Sequence, residues 1–437
     1  MARAKKETAL TPEERLQAAL VPDWEWPYKL PENWCWTYFK SISTIQTGKK
    51  DANYGSDEGK YPFFTCAAEP IRCHGYSFDC RAILLAGNGD INNISRYNGK
   101  FEAYQRTYVV RIAEPLCFDY IFYWFKYRWF DFNKGKMFGT AIPYIRLGNL
   151  QEFPTPIPPL AEQQRIVDRI ESLFAKLDEA KEKAQAVVDS FETRKAAILH
   201  KAFTGELTAK WRRTHGLSLD TWKEVAADSL FEYVTSGSRG WAKYYDESGA
   251  VFIRMGNLDH GTIELDFSDI QHVKLPNKAE GQRSRIRKND ILISITADVG
   301  MVGLVRNDDF EGYINQHIAL ARPVMSESAE FIAWYLVSDI GLKQMQEKQR
   351  GATKVGLNLN DIRALQLKIP LIEEQNEILK VIKMWIGKEQ QSQEAAEAVL
   401  DQIDLMKKSI LARAFRGELG TNDPNEESAV ELLKQII

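Results

Sequence analysis

Apolar or small residues recur in steps of four and three along one long stretch: Ile166, Ile170, Leu173, Leu177, Ala180, Ala184, Val187, Phe191, then Ile198. A repeat averaging 3.5 residues, kept over several heptads, predicts the seam of a coiled coil rather than the stripe of an ordinary globular helix. Pro158 and Pro159 stand before it and Gly205 after it, as at the start and stop of a helix. The whole stretch 157–207 then returns without a gap as 369–419, identical at 20 of 51 positions. The identities gather at the ends: Ile157-Pro158, Glu162-Gln163, Ala202-Phe203 and Gly205-Glu206-Leu207 recur as Ile369-Pro370, Glu374-Gln375, Ala414-Phe415 and Gly417-Glu418-Leu419. In the second copy the seam reads Ile378, Ile382, Trp385, Ser392, Ala396, Val399, Ile403, Met406 and Ile410, with Glu389 where the first has Leu177. A rod of ~40 residues is about 60 Å long. Each seam needs an apolar partner, and the other copy is the obvious one.

Elsewhere the pattern changes to short β-prone runs separated by turn residues. In the first half these are 61–65, 82–86 and 107–112, with an aromatic helical segment at 118–130. In the second they are 251–255, 290–295, 302–305 and 318–321, with a helix at 331–346. The predicted fold class is α+β: two small mixed α/β domains, each followed by a long helix. The predicted boundaries are a leader at 1–29, a first variable domain at 30–156, a first long helix at 157–207, a second variable domain at 208–368, a second long helix at 369–419 and a tail at 420–437. Thr11-Pro12-Glu13-Glu14 opens a leader helix through about Leu20. After Leu30–Trp36 a short helical stretch is expected to Ile45, then a polar loop, Thr47-Gly48-Lys49-Lys50. The second half echoes this loop as Thr235-Ser236-Gly237-Ser238-Arg239.

A chain of 437 residues is too long for one core. Its 44% hydrophobic and 11% aromatic content marks it as globular. No apolar run reaches membrane-spanning length and the first 30 residues lack a signal peptide's apolar centre. The five cysteines (Cys35, Cys66, Cys73, Cys80, Cys117) are an odd set with no secretion signal, which predicts free thiols in a reducing cytoplasm. A net charge of −3 means that any nucleic-acid face must be local. The chain has no phosphate-binding glycine loop, no dinucleotide fingerprint, no HExxH and no nucleophile elbow, so it reads as a binding protein without a catalytic centre. Cys66, Cys73-His74 and Cys80 are spaced too widely for the usual paired metal ligands, and no metal is expected.

The Leu30–Trp36 opening, the Ile157–Gln164 entry into the first long helix and the Ala202–Leu207 exit, with their second copies at 369–375 and 414–419, resemble the specificity subunit of type I restriction-modification enzymes. So does Arg350-Gly351-Ala352-Thr353-Lys354 ahead of Leu357-Asn358-Leu359, whose counterpart Gly139–Pro143 is shorter and different. The resemblance covers essentially the whole chain. It implies two target recognition domains joined by two long helices that pack as an antiparallel coiled coil, with an internal pseudo-twofold repeat. It implies a double-stranded DNA target in two halves, one read by each domain, with the helices setting the gap. It also implies two adenine methyltransferase subunits and motor-endonuclease restriction subunits as partners. S-adenosylmethionine, ATP and Mg would be bound by those partners and none by this chain.

Phosphate and base-edge contacts call for basic and amide side chains in loops. The candidates in the first domain are Lys49, Lys50, Asn92, Asn93, Arg96 and Arg106. In the second they are Arg239, Arg254, Asn257, Arg285, Arg350, Thr353 and Lys354, with Arg283 and Arg287-Lys288 as a further basic run. For any one of them a solvated surface charge or a turn-capping amide is the plainer reading. The outer helix residues Glu162, Gln163, Arg165, Asp168 and Lys176 are expected to face solvent and the methyltransferase subunits. Two other readings remain at this level: a coiled-coil scaffold presenting two protein-binding domains, or a specificity subunit serving methylation alone.

Overall fold

The computed structural model describes residues 10–275, 280–350 and 356–437. The chain divides into two compact units, Met1–Glu182 with Val399–Ile437 and Lys183–Ala398. The first unit is thus made from both ends of the chain. The second is one uninterrupted stretch.

In the first unit Thr11 and Glu14 cap the leader helix Pro12–Ala19 reciprocally, as the sequence predicts. Strand Cys35–Tyr38 pairs antiparallel with Pro154–Ile157, bringing together the two ends of the variable domain. The helix expected up to Ile45 is only the short turn Phe39–Ser41, followed by strand Ser43–Thr47. The β-branched Thr44, Ile45 and Thr47 suit a pleated edge better than a helix.

That strand opens a six-stranded sheet in the order Ser43–Thr47, Thr107–Ile112, Phe78–Ala86, Ile94–Ala103, Tyr61–Phe64, Ile71–Cys73. Alternate residues of its central strands go to opposite faces. Ile83, Leu85 and Val110 join one core cluster, while Ala82, Leu84 and Val109 join another with Phe64 and Phe101. Strand Ile94–Ala103 contains the polar run Asn98-Gly99-Lys100, which carries no strand pattern. Its register with Phe78–Ala86, from Phe78↔Phe101 to Leu85↔Ile94, makes it one.

Helix Phe118–Asn133 buries Tyr120, Ile121, Trp124, Phe125 and Trp129 at helical spacing, against Trp36, Phe39 and Phe153. Burying one such side chain contributes about 1.5–3 kcal/mol. Trp124→Ala would cost about 3–5 kcal/mol.

The second unit reuses this plan. Strand Lys223–Ala226 pairs with Gln366–Ile369 as Cys35–Tyr38 does with Pro154–Ile157. Its main sheet is divided in two: Phe231–Ser236, Ile318–Pro323, Ile291–Ser294, Val302–Leu304 in one part and Tyr245–Asp246, Gln271–Val273, Ala250–Ile253, Gly312–Ile314 in the other. The helix expected over 331–346 is two helices, Ala329–Val337 and Asp339–Glu347, because Ser338 ends the first and caps the second through the Gly341 N–H.

The first repeat forms helices Leu160–Asp189 and Phe191–Phe203, interrupted at Ser190, whose hydroxyl bonds back to the Ala186 carbonyl. The second repeat forms one helix, Ile372–Ala414. Within the first unit Arg165 reaches Thr421 and Asp178 reaches Lys407. Within the second, Arg194 reaches Glu389 and Arg212 reaches Glu374. In each unit the partner number falls as the first rises, so the paired segments run in opposite directions.

Ile166, Ile170, Ile378, Ile382 and Ile403 are buried, and Leu173, Leu177, Val187 and Phe191 are half-buried. Val399 is not a seam residue: it is 45% exposed, while its neighbour Leu400 is half-buried. Trp385 and Met406 are exposed as well. Two adjacent heptad positions both look apolar in this helix, and only the packed partner selects between them.

Glu389, the charged residue in the predicted seam, is answered by the Arg194 guanidinium at 2.5 Å. The expectation that Glu162 and Gln163 face solvent fails. Both are fully buried, because their side chains tie the helix start to neighbouring backbone and hydroxyl groups. Arg165 is bound to Glu162 and Glu426, whereas Asp168 and Lys176 are exposed as expected.

Candidate nucleic-acid interface

Both units build the same loop cluster at the end of their first sheet strand. In the first, Gly48 follows Ser43–Thr47 and presses against the backbone of Ala103, where a Cβ would stand 1.8 Å from the carbonyl oxygen. Only glycine permits that approach. Lys50 then bridges to Tyr104, and its carbonyl accepts from the Gln105 N–H at 2.9 Å. The Gln105 amide donates to Asp51 at 2.8 Å, and the Lys50 ammonium sits 4.5 Å from the centre of the Tyr54 ring. The Arg106 carbonyl in turn accepts from the Gly87 N–H at 2.8 Å. Lys49, Lys50, Gln105, Arg106 and the turn at 87–90, distant in sequence, therefore share one rim. Lys49 and Arg106 are exposed there and their side chains form no ion pair among the described residues.

In the second unit Gly237 follows Phe231–Ser236 and meets the Ile314 carbonyl in the same way, at 2.1 Å. Ser238 bridges to Asn315 as Lys50 does to Tyr104, leaving Arg239 exposed beside the turn Asn315-Gln316-His317. The turn at 87–90 has its counterpart too. Asn88 bridges to Tyr144, and Thr296 bridges to Gly356. The residue after each is left-handed: Gly89 at φ 72° and Ala297 at φ 65°. A left-handed alanine costs on the order of 1–3 kcal/mol, and such strain gathers where a loop's shape matters to function. The next residue is an aspartate in both. Asp90 accepts from the Asn92 N–H at 2.9 Å, and Asp298 pairs with His260 at 2.7 Å. Sequence reasoning passed over Ala297, Asp298 and His260. The only signal was that Thr296-Ala297-Asp298 occupies the place of Asn88-Gly89-Asp90.

Other candidates are placed differently. Asn92 is exposed, while Asn93 donates to the Cys66 carbonyl at 2.9 Å and so holds the rim. Arg96 lies on strand Ile94–Ala103 rather than in a loop. It pairs with Asp119 and stacks 4.8 Å from the centre of the Phe122 ring, tying the strand to helix Phe118–Asn133. Asn257 is buried, accepts from the Arg254 N–H and donates to the Asp266 and Asp269 carbonyls. Its whole amide is committed to its own loop, which leaves nothing to offer a base. Arg254 is half-buried and paired with Asp269. Arg285 is exposed beside Tyr313, and Arg350 is exposed although it touches Asp361 at 3.2 Å. Thr353 and Lys354 lie outside the described residues.

Two buried carboxylates sit at the starts of the long helices. Glu162 accepts from Thr421 and Arg165, and Glu374 accepts from Thr208, Arg212 and Trp222. Burial pushes the Glu162 carboxyl above its usual range, with the Thr421 hydroxyl and Arg165 pulling the other way. Burial likewise raises Asp290, opposed by the Arg322 guanidinium that grips it.

The cysteines bind separate partners: Cys73 reaches the Gly75 carbonyl, Cys66 the Arg106 carbonyl, and His74 meets Ser56. Among the described residues no group of three or more His, Cys, Asp or Glu could hold a metal ion, and no helix is long and apolar enough to cross a membrane.

The chain is 26% identical over 434 residues to the type I restriction enzyme EcoDI specificity subunit of Escherichia coli, covering 93% of this chain and 95% of that protein. Among solved structures, the HsdS subunit from Thermoanaerobacter tengcongensis superposes with a TM-score of 0.59 at 19% identity, over 90% of this chain and all of that one. A chain from a structural study of complex assembly and conformational transition in a type I R-M system gives 0.64, also at 19% identity and with the same coverage. Both share the fold. The family model for the type I restriction modification DNA specificity domain matches twice, over residues 31–188 and 220–397, once for each half of the chain. The chain therefore belongs to the type I restriction-modification DNA specificity family.

Proposed function

We propose that this chain is the non-catalytic reader of a split double-stranded DNA target, each unit recognising one half through its rim of loops. The carrying observation is the recurrence of one rim in both units: a glycine pressed on a facing backbone, a basic residue beyond it, and a polar turn alongside. Two readers of one design in one chain call for a target in two parts. The long helices, each of which runs from one unit into the other, act as an antiparallel coiled-coil spacer with pseudo-twofold symmetry and set the unread gap. A major groove presents itself again about every 34 Å, which a helix of this length can span.

The exposed helix faces, including Asp168 and Lys176, dock two adenine methyltransferase subunits, and restriction subunits complete the complex in the cytoplasm. S-adenosylmethionine, ATP and Mg belong to those partners. The target adenine is flipped from the stack by the methyltransferase.

The test is to express the chain with its methyltransferase partner and map methylated adenines in genomic DNA. A motif of two short specified halves with a fixed gap is expected. A single continuous motif would overturn the two-reader proposal.

A further inference from the structure

The second unit has a cleft of about 550 Å³ whose lining includes Arg283, Arg285, Arg287 and Arg322, with Glu232 and Asp308. It opens where this unit's sheet divides. In the first unit, strand Phe78–Ala86 runs beside Ile94–Ala103 without interruption. In the second, the corresponding partner is cut into Val302–Leu304 and Gly312–Ile314. The chain at 283–288 crosses that gap, making one bridge, Arg285 to Tyr313.

Along this segment Ser284 and Ile286 are buried while Arg283, Arg285 and Arg287 are exposed. Arg283 belongs to the short helical turn Glu280–Ser284, and Arg285 and Arg287 to the segment that follows it; all three guanidinium groups reach the open side. Arg322 rises from the neighbouring strand and is fixed by two bonds to the buried Asp290 carboxylate, at 2.7 and 2.8 Å. Asp290 is thereby committed to Arg322. The other three arginines outnumber the two remaining acids of the lining, and Arg285 and Arg287 form no ion pair among the described residues. Arg283 donates to the Ser238 hydroxyl at 3.3 Å, which joins the cleft to the rim carrying Arg239.

Arginines gathered without counter-charge repel one another unless an anion is shared between them, and their planar fork matches phosphate oxygens. The first unit has no such group among its described residues. The Ser77 N–H bonds the Phe101 carbonyl as the Ile286 N–H bonds the Gly312 carbonyl. That register makes His74, Tyr76 and Phe78 of the first unit equivalent in position to Arg283, Arg285 and Arg287 of the second.

We propose that this cleft grips the sugar-phosphate backbone of double-stranded DNA, giving the second unit a phosphate clamp that the first unit lacks. The proposal rests on the reading of the chain as a DNA reader. Arg285 and Arg287, the two without an ion pair or a side-chain hydrogen bond among the described residues, set the register and affinity of the second half-site and read no base. Contacts of this kind lower affinity for every sequence alike when removed, and each contributes about one unit to the slope of log affinity against log salt.

The test uses the full chain in complex with its methyltransferase partner, with two duplexes of equal length, one carrying the mapped motif and one scrambled. Binding is titrated across salt for the wild type, R285Q/R287Q and R285K/R287K. The glutamine variant is expected to flatten the slope by about two on both duplexes, and the lysine variant to restore most of it. An unchanged slope in a folded glutamine variant overturns the clamp. So does a loss confined to the motif duplex with the slope intact, which would mean base reading instead. Wild-type complex that binds neither duplex overturns the DNA-reader proposal itself, and the clamp with it.

Discussion

The two units close around a buried glutamate in two different ways. Glu374 receives Arg212 at 2.5 Å, Thr208 at 2.7 Å and Trp222 at 3.0 Å, and the Arg212 side chain is itself only 8% exposed. Glu162 receives Thr421 at 2.6 Å and Arg165, but Arg165 sits one turn along the same helix, is 38% exposed and holds Glu426 as a second acid. The glutamine after each glutamate differs too. Gln163 donates to the Pro158 carbonyl and accepts from the Cys117 N–H, whereas Gln375 donates to the Pro370 carbonyl with its buried oxygen unpaired among the described residues. The same dipeptide thus starts both helices, but the first unit completes it with the chain's tail and the second with the segment after Phe203. A repeated motif preserves the buried charge and leaves each half to supply its own counter-charge.

The comparison can be broken most directly at Glu374. Glu374→Ala strands a buried arginine and should cost about 3–5 kcal/mol, read by denaturant unfolding. A cost below that of Glu162→Ala would reverse the contrast. Next in size is the seam. Ile403→Ala should cost about 2–5 kcal/mol, since its side chain is buried, while Val399→Ala should change stability by under about 0.5 kcal/mol. Equal losses would return Val399 to the seam.

Glu162→Ala should cost about 1–3 kcal/mol, because Arg165 keeps Glu426 and solvent. The double change Arg194→Met with Glu389→Leu copies the residues at the repeat-related positions, Met406 and Leu177. It should leave stability within about 1 kcal/mol, as exchange of a partly exposed pair for apolar groups usually does.

The smallest effect is with pH. The folded Glu162 carboxyl is raised above its ordinary 4.5, so its contribution is fully present below that value and is lost as pH rises through the folded titration. The stability difference between the wild type and Glu162→Gln should therefore shift against the wild type as pH rises above 4.5. No pH dependence in that difference would mean Thr421 and Arg165 offset the burial completely.

Much of the architecture can be read from local pattern. The doubled stretch, the helix starts after Pro158-Pro159 and Pro370, the capped leader helix and most central strands follow from period, caps and turns. In the candidate interface, the Thr47–Lys50 loop and its echo at Ser238-Arg239 were visible because glycine beside basic residues marks a turn with charge. Misplaced were Arg96, drawn into a strand by a pairing its own sequence does not suggest, and Asn257, which looks like a base reader but is spent on its own loop.

That there are two equivalent units, each tied to a long helix, is legible in the chain alone, because repetition and periodicity need no partner to be seen. Tertiary structure decided which of two apolar stripes on Ile372–Ala414 is covered, that Glu162 and Glu374 are buried, and that the second unit's sheet divides to expose three arginines. Those outcomes depend on partners far away in sequence, Thr421 for Glu162 and Tyr313 for Arg285. A residue's own spacing records which face it occupies, and what covers that face is settled only by packing.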